Sequence, residues 1–409
     1  MLSRLWFSFF FLSFVACFYQ WWALDNSEIY SVVIKASFDM AKLAVEISIG
    51  LVGVMCLWLG LFKVAEASGL IGSLARLLSP LFARLMPEIP KGHPAIGSVT
   101  MNLSANLLGL DNAATPMGLK AMQDMQVLNT NKLVASNPQI LFLVLNTSSV
   151  TLLPITVFLY RAQLGAAEPT AVFLPIILAT TASTLVGVLT VGWIQKLKLF
   201  DWVVLSYLSG LILFISTIFY VVHAQPPSAI NTLSNFIGNF VLFSVIVGIL
   251  GVGVIKGVSV YEVFVDGAKE GVSVCVTIVP YLVAMLVGIG VLRASGVLDL
   301  FVDSFAALLV LFGINADFVP ALPTALMKPF SGSGSRAMMI ETMNNYGVDS
   351  FPAKIAAIVQ GSTETTFYVL AVYFGSVGIR HGRHAVFCGL IADFAGISAA
   401  ILLGYWFFY

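Results

Sequence analysis

The stretch QGSTETTFYVLAVYFG runs from Gln360 to Gly375 and joins a polar head to an apolar, aromatic helix pattern. Its one carboxylate, Glu364, stands among hydroxyls in a segment long and apolar enough to cross a membrane. Inserting a charged side chain at the bilayer centre costs about 3 kcal/mol. The stretch therefore predicts a membrane segment whose acid faces a cavity and touches a solute, a proton or a cation. The alternative is a buried structural hydrogen bond, to Tyr368 or to a neighbouring hairpin.

The composition places this segment in a membrane protein. Of the 409 residues, 59% are hydrophobic and 10% are charged, whereas soluble domains carry about 25% charged residues. Apolar runs of about 20 residues recur, as membrane-crossing helices require. We expect an all-α polytopic membrane protein in a lipid bilayer, with the N-terminal run retained as the first span. Nine spans are predicted, at residues 5–24, 43–64, 138–160, 171–194, 202–223, 231–255, 271–292, 353–376 and 385–408.

Charge and cysteine usage exclude several classes of protein. The formal net charge is zero, which gives no reason to expect a nucleic-acid partner. The four cysteines lie far apart in apolar runs, so neither a metal site nor a disulfide framework is predicted. The four histidines form no metal-ligand motif, and we expect no cofactor. With no convincing catalytic pairing either, an intramembrane enzyme is the least favoured class.

Two stretches, residues 94–125 and 317–345, are only moderately apolar and rich in Gly, Pro, Ser and Asn. Each has room for two short helical arms joined by a polar tip, and an arm of ten residues rises only about 15 Å. Such backbone is stable at membrane depth where protein or a water-filled cavity satisfies it. We predict two re-entrant hairpins, with long surface loops as the alternative. Residues 68–86 and 295–313 are predicted to lie in the membrane plane as amphipathic helices, or else to cross it.

The order of these elements repeats along the chain. EASGLIGSL at 66–74 aligns with RASGVLDLF at 293–301, an offset of 227 residues, and NTSSVTLLP at 146–154 aligns with QGSTETTFY at 360–368. Each unit reads as span, in-plane helix, hairpin, polar-headed span and span. Each unit crosses three times and two spans separate the units, so the second starts on the opposite side. This inverted structural repeat is typical of secondary transporters.

The distribution of Lys and Arg predicts the orientation. With Arg4 in the cytoplasm, most of the 20 Lys and Arg residues fall on the cytoplasmic side, as the positive-inside rule expects. We therefore predict a multi-pass membrane protein with a cytoplasmic N-terminus.

Candidate solute-binding groups lie in the hairpins and in the polar heads of two spans. The hairpin tips offer side-chain donors and acceptors and, in SGSGS, free backbone N–H groups before a helix start. Pro154 and Gly361 make local unwinding of the polar-headed spans plausible. The alternative for the glycines is a tight turn alone. The predicted set is Asn102, Ser104, Asn106, Asp111, Asn112, Thr115, Asn146, Ser148, Ser149, Ser331, Gly332, Ser333, Gly334, Gln360, Ser362, Thr363, Glu364 and Thr365.

The motifs carry a family resemblance over nearly the whole chain. HPAIGSVTMNLSANLLGLDNAATPMGLKAM at 93–122 and LNTSSVTLLPITV at 145–157 resemble spore maturation protein A. VPALPTALMKPFSGSG at 319–334, DSFPAKIAAIVQGSTETTFYVLAVYFGSVGI at 349–379 and GLIADFAG at 389–396 resemble spore maturation protein B. The chain is thus similar to a fusion of the two, with A-like residues 1–200 and B-like residues 201–409. Both halves resemble the nucleoside recognition, or Gate, domain.

The resemblance extends at a distance to concentrative nucleoside transporters and implies a transporter-like inverted repeat. The function expected is an inner-membrane secondary transporter or permease for a small polar solute, nucleoside-like or anionic, with a proton or Na⁺ as the candidate coupling ion. The alternative is a non-transporting membrane scaffold or sensor of the spore maturation type. A homo-oligomer is left open.

Overall fold

The chain folds into helices that alternate between long spans and short segments. A computed structural model describes residues 2–109, 111–148 and 151–409. A 3₁₀ turn at Val319–Ala321 accompanies the helices. The helices are α1 (Leu2–Ala23), α2 (Ile29–Ala67), α3 (Leu70–Leu85), α4 (Pro94–Leu107), α5 (Asp111–Leu128), α6 (Asn137–Ser148), α7 (Ile155–Gln163), α8 (Phe173–Gln195), α9 (Trp202–His223), α10 (Pro227–Ile255), α11 (Val260–Ala294), α12 (Val297–Leu311), α13 (Leu322–Met327), α14 (Gly332–Tyr346), α15 (Phe351–Ser362), α16 (Thr366–Ser376) and α17 (Ala385–Phe408).

Eight helical segments among the described residues are long and apolar enough to cross a membrane. They are α1, α2, α8, α9, α10, α11, the consecutive pair α15–α16, and α17. The remaining predicted span, 138–160, is not among these eight. It is divided into the two short helices α6 and α7, because the chain leaves helical geometry before Pro154. The prediction of an all-α polytopic membrane protein is confirmed.

Two helices begin several turns before their predicted spans. Helix α2 begins at Ile29 rather than at 43, and α11 begins at Val260 rather than at 271. The added turns carry charged residues with exposed side chains, such as Lys42, Asp266 and Lys269. The prediction measured only the apolar run, which ends at the first charged residues. The helix itself continues past these residues into water.

The order of elements in the structure is that of the predicted repeat. Helices α2 and α3, the hairpin α4–α5, the broken helix α6–α7 and the span α8 form the first unit. Helices α11 and α12, the hairpin α13–α14, the broken helix α15–α16 and the span α17 form the second, with α9 and α10 between the units. Helices α3 and α12 have 16 and 15 residues, fewer than the roughly 20 that a span needs. Their in-plane placement remains a prediction.

Equivalent helices of the two units pack antiparallel, as an inverted repeat requires. Helices α2 and α11 cross so that Gly267 lies against Lys63, and Gly290 lies against Met40. In the repeat alignment, with its offset of 227 residues, Met40 is equivalent to Gly267 and Lys63 is equivalent to Gly290. The two contacts are therefore equivalent to each other. Helices α8 and α17 also run antiparallel, since Ser183 lies against Gly396, whereas Gly187, one turn later on α8, lies against Ala392, one turn earlier on α17. We call α2 and α11 the scaffold pair.

Two clamps hold the rest of the repeat together at its two ends. At one end the buried guanidinium of Arg161 donates to Asp349 at 2.8 Å and to the carbonyl of Val348 at 3.0 Å. At the other end the backbone N–H groups of Arg380 and His381 donate to the carbonyl of Leu133 at 2.9 and 3.0 Å. The first clamp joins the last turn of α7 to the loop before α15, and the second joins the loop before α6 to the loop before α17. We call the hairpins, the broken helices, α8 and α17 together the core body.

Candidate functional site

A cavity of about 660 Å³ lies between the scaffold pair and the core body. The scaffold pair contributes the apolar side chains of Trp58, Phe62 and Ile278, and also polar residues such as Ser273 and Thr277. The core body contributes polar and charged residues near the helix breaks and the second hairpin, together with apolar residues of α7. The cavity reaches the surface at Glu66 and Glu270, whose side chains are 51% and 59% exposed. A volume of this size is in the range of small-molecule sites.

Glu364 enters the cavity from a break in the second polar-headed span. Helix α15 ends at Ser362 and α16 begins at Thr366, and the intervening Thr363 is extended, with φ −147° and ψ 172°. The backbone N–H of Glu364 donates to the carbonyl of Thr147, at the end of α6, over 2.6 Å. The broken helices therefore meet at their interruptions, and the Glu364 carboxylate lines the cavity.

Each hairpin tip is bonded to the helix break of its own unit. In the first unit the N–H of Leu152 donates to the carbonyl of Leu107, at the end of the first arm, over 2.9 Å. In the second unit the N–H of Phe367 donates to the carbonyl of Pro329 over 3.0 Å. These bonds satisfy backbone groups that the breaks leave without helical partners. They also connect each tip directly to its neighbouring break.

The second hairpin brings two cations to the cavity. Lys328 and Arg336 both line it, and they flank the Gly-Ser tip. The buried ammonium of Lys328 donates to the carbonyl of Gln360 at 2.8 Å. The guanidinium of Arg336 stands over the ring of Tyr160, 5.6 Å from its centroid. With the positive end of the 15-residue α14 at Gly332, this side of the cavity favours a negatively charged group.

The predicted residues of the second hairpin have different environments. Gly332 lines the cavity, whereas Gly334 packs among methionine side chains. The Ser331 hydroxyl caps α14 by accepting from the N–H of Gly334 at 3.0 Å. The hydroxyl of Ser333 lies 3.2 Å from that of Ser331.

Some predicted residues of the second break line the cavity, and others are buried in contacts within the protein. Gln360 lines the cavity with Glu364, and its carbonyl oxygen Oε1 accepts a 2.7 Å hydrogen bond from Ser335. Ser362 donates to its own helix, and Thr363 is buried behind the break. Thr365 places its hydroxyl against Gly332.

Among the side chains of the first hairpin that the structure describes, several asparagines form a buried amide network. Asn106 donates to Asn146 at 2.7 Å, and the hydroxyl of Tyr373 donates to the same Asn146 oxygen at 3.3 Å. Asn102 donates to Tyr373 at 3.3 Å and to the carbonyl of Ala114 at 2.7 Å. The network ties the first hairpin to α6 and α16. From this hairpin, the described residue that lines the cavity is Gly109.

The remaining predicted residues lie around this network. Ser104 is fully buried, Ser148 donates to the carbonyl of Val144 at 2.8 Å, and Thr115 lies in the second turn of α5. The side chains of Asp111 and Asn112, and all of Ser149, lie outside the described residues.

We expect Asn146→Ala to lower the free energy of unfolding by roughly 2 kcal/mol, because it removes the acceptor that Asn106 and Tyr373 share in the amide network. The measurement is thermal or denaturant unfolding in detergent. The control is Asn345→Ala, at an exposed position, which should change little. An unchanged unfolding curve together with lost solute binding would instead place Asn146 in the binding site.

Sequence reasoning left several cavity residues out of the predicted set. Lys328 and Arg336 had a readable signal, because two cations flank a Gly-rich tip in a membrane segment. Trp58 and Phe62 had none, since aromatic residues on a long apolar helix pattern fit lipid or helix packing equally well.

Fold and site together define a multi-pass membrane protein in which an inverted repeat surrounds a cavity lined by apolar and charged residues. The model of the nucleoside recognition family, named Gate, matches residues 48–166 and 275–380. The chain belongs to this family.

Two relatives from Bacillus subtilis (strain 168) match in addition, and their matches cover the chain in two parts. Spore maturation protein A is 48% identical over 149 residues, which are 36% of this chain and 76% of that protein. Spore maturation protein B is 44% identical over 159 residues, which are 39% of this chain and 88% of that protein. No solved structure matches the chain.

Proposed function

We propose that the chain is a secondary transporter, or permease, that moves a small polar solute across the bacterial cytoplasmic membrane. The observation that carries the proposal is the position of Glu364, at a helix break in the wall of the cavity. An acid in a membrane segment is costly unless it faces water or a ligand. Inverted repeats with discontinuous helices commonly bind solute between the repeats.

The charges of the wall suggest the chemistry of the solute. Lys328, Arg336 and the start of α14 favour an anionic group, and Glu364 favours a cationic or hydrogen-donating group. Trp58 and Phe62 offer an apolar surface to the rest of the molecule. We therefore infer an anionic or zwitterionic polar solute, and the family's description keeps nucleosides among the compounds to test.

Movement of the core body against the scaffold pair would expose the cavity to the two sides in turn. The clamps at Arg161 and at Leu133, together with the bonds between tips and breaks, favour motion of the core body as one unit. Rigid-body motion around a fixed site is a common mode of alternating access. We assign the side of Glu66 and Glu270 to the cytoplasm, following the distribution of Lys and Arg, with the N-terminus on that side.

The proposal is tested by uptake and efflux in proteoliposomes. Nucleosides, amino acids and small dicarboxylates are offered under imposed proton and sodium gradients, with protein-free liposomes as the control. We expect saturable, protein-dependent uptake of at least one compound that carries a carboxylate or phosphate. Saturable binding without uptake would favour a sensor, and the absence of both across the panel would contradict a permease.

A further inference from the structure

Asp393 is a second membrane acid, and it lies behind the break of α15–α16 rather than in the cavity. Its residue is 2% exposed, and Thr366 donates to its Oδ2 atom at 2.6 Å. Gly389 and Gly396 lie one turn before and after it on α17. A Cβ on Gly389 would meet Thr366, and a Cβ on Gly396 would meet Thr363. The two glycines thus let the broken helix approach the face of α17 that carries the carboxylate.

Three buried oxygen atoms at this place make no hydrogen bond of normal geometry among the described residues: Oδ1 of Asp393, Oγ1 of Thr363 and Oγ1 of Thr147. The Thr363 hydroxyl lies close enough to the Asp393 carboxylate to interact with it. The three residues are between 0% and 2% exposed. Thr147 belongs to the same place because its carbonyl accepts from Glu364 and its methyl group lies 3.6 Å from the Cβ position of Gly389. Buried oxygens without donors destabilise a fold unless a ligand satisfies them.

The surroundings match a monovalent cation. Carboxylate, hydroxyl and carbonyl oxygens are ligands for hard cations, and the carbonyl ends of half-helices coordinate Na⁺ in membrane proteins with broken helices. Helices α6 and α15 both end here, at Ser148 and Ser362. Of the three side chains, Asp393 alone is an acid, and one monovalent cation neutralises its single negative charge.

We propose that Asp393, Thr363 and Thr147 form a binding site for a monovalent cation of the size of Na⁺. The bound cation joins α17 and α6 to residues 363–365, and so fixes the segment that places Glu364 in the cavity. The link between cation and solute rests on the proposed permease function, whereas binding of the cation does not.

The test is cation-dependent unfolding of the purified full-length chain in detergent, with no solute present. Melting temperature is measured in NaCl, LiCl, KCl and choline chloride at equal ionic strength and pH. A ligand that binds only the folded state raises the melting temperature. We expect a concentration-dependent rise in NaCl over choline chloride, and loss of that rise in Asp393→Asn and Thr363→Val. The control Asp303→Asn, at an exposed position on α12, should keep it.

Thr363→Val keeps the test decisive if Asp393→Asn does not fold, and direct binding of radioactive sodium gives a second readout. Equal melting in sodium and choline, melting that follows only pH, or a sodium effect retained in Asp393→Asn would each overturn the site. Sodium binding without any uptake would keep the site and reject the permease. Solute uptake without cation-dependent melting would keep the permease and reject the cation site.

Discussion

Glu364→Gln is expected to abolish solute uptake and to leave the protein folded. The substitution keeps the size of the side chain and removes its charge, so a charge-assisted hydrogen bond to the solute is lost. Such bonds contribute about 1.5–3 kcal/mol, which corresponds to roughly 10- to 100-fold weaker binding. The measurement is uptake in proteoliposomes, with solute binding to purified protein as the second readout.

The matched control is Glu46→Gln, the same change at a side chain of α2 that is 59% exposed. It should retain both uptake and binding. Full uptake by Glu364→Gln would count against the cavity role of this acid. A variant that fails to fold would instead support the structural alternative, in which Glu364 stabilises the break.

Gly271→Leu is expected to disrupt the crossing of the scaffold pair and to give a large loss of stability. A Cβ on Gly271 would lie 2.6 Å from the backbone nitrogen of Cys56, so α2 and α11 would have to separate. Overpacking of this kind costs typically 1–3 kcal/mol, and more where backbone must move. Yield of folded protein after extraction and its melting temperature measure the effect.

Gly251→Leu on α10 is the matched control, because nothing lies within 4 Å of its Cβ position. We expect this variant to melt like the parent chain. If Gly271→Leu also melted like the parent, the close contact of α2 and α11 would be wrong, and with it the part of the cavity wall that these helices contribute.

The repeat was predictable because membrane segments leave a strong composition signal. The offset of 227 residues, found from nine aligned residues, relates the contact of Met40 with Gly290 to that of Lys63 with Gly267. The interruption of the second polar-headed span was also readable, since Gly361 and a run of hydroxyls precede an apolar helix pattern. Ends of helices were less predictable, because exposed charged turns of α2 and α11 continue the helix beyond the apolar run.

The division of polar residues between cavity and packing was not readable from the sequence. Asn102, Asn106 and Asn146 look like ligand-binding residues in a membrane segment, yet they bond to each other or to Tyr373, more than 220 residues away along the chain. Only tertiary contacts decide whether a buried amide faces a solute or another side chain. For the same reason Glu364 and Asp393, two membrane acids 29 positions apart, lie in different environments.

The measurement that tests the cavity most directly is thiol labelling in a chain whose four cysteines are replaced by alanine. Thr156→Cys places a thiol on the cavity wall, and Thr181→Cys places one at a position that is 2% exposed. We predict that a membrane-impermeant maleimide added on the side of Glu66 labels the first and spares the second, and that a transported solute slows the labelling. If Thr156→Cys were unreactive from both sides of the membrane, the wet cavity around Glu364 would be contradicted.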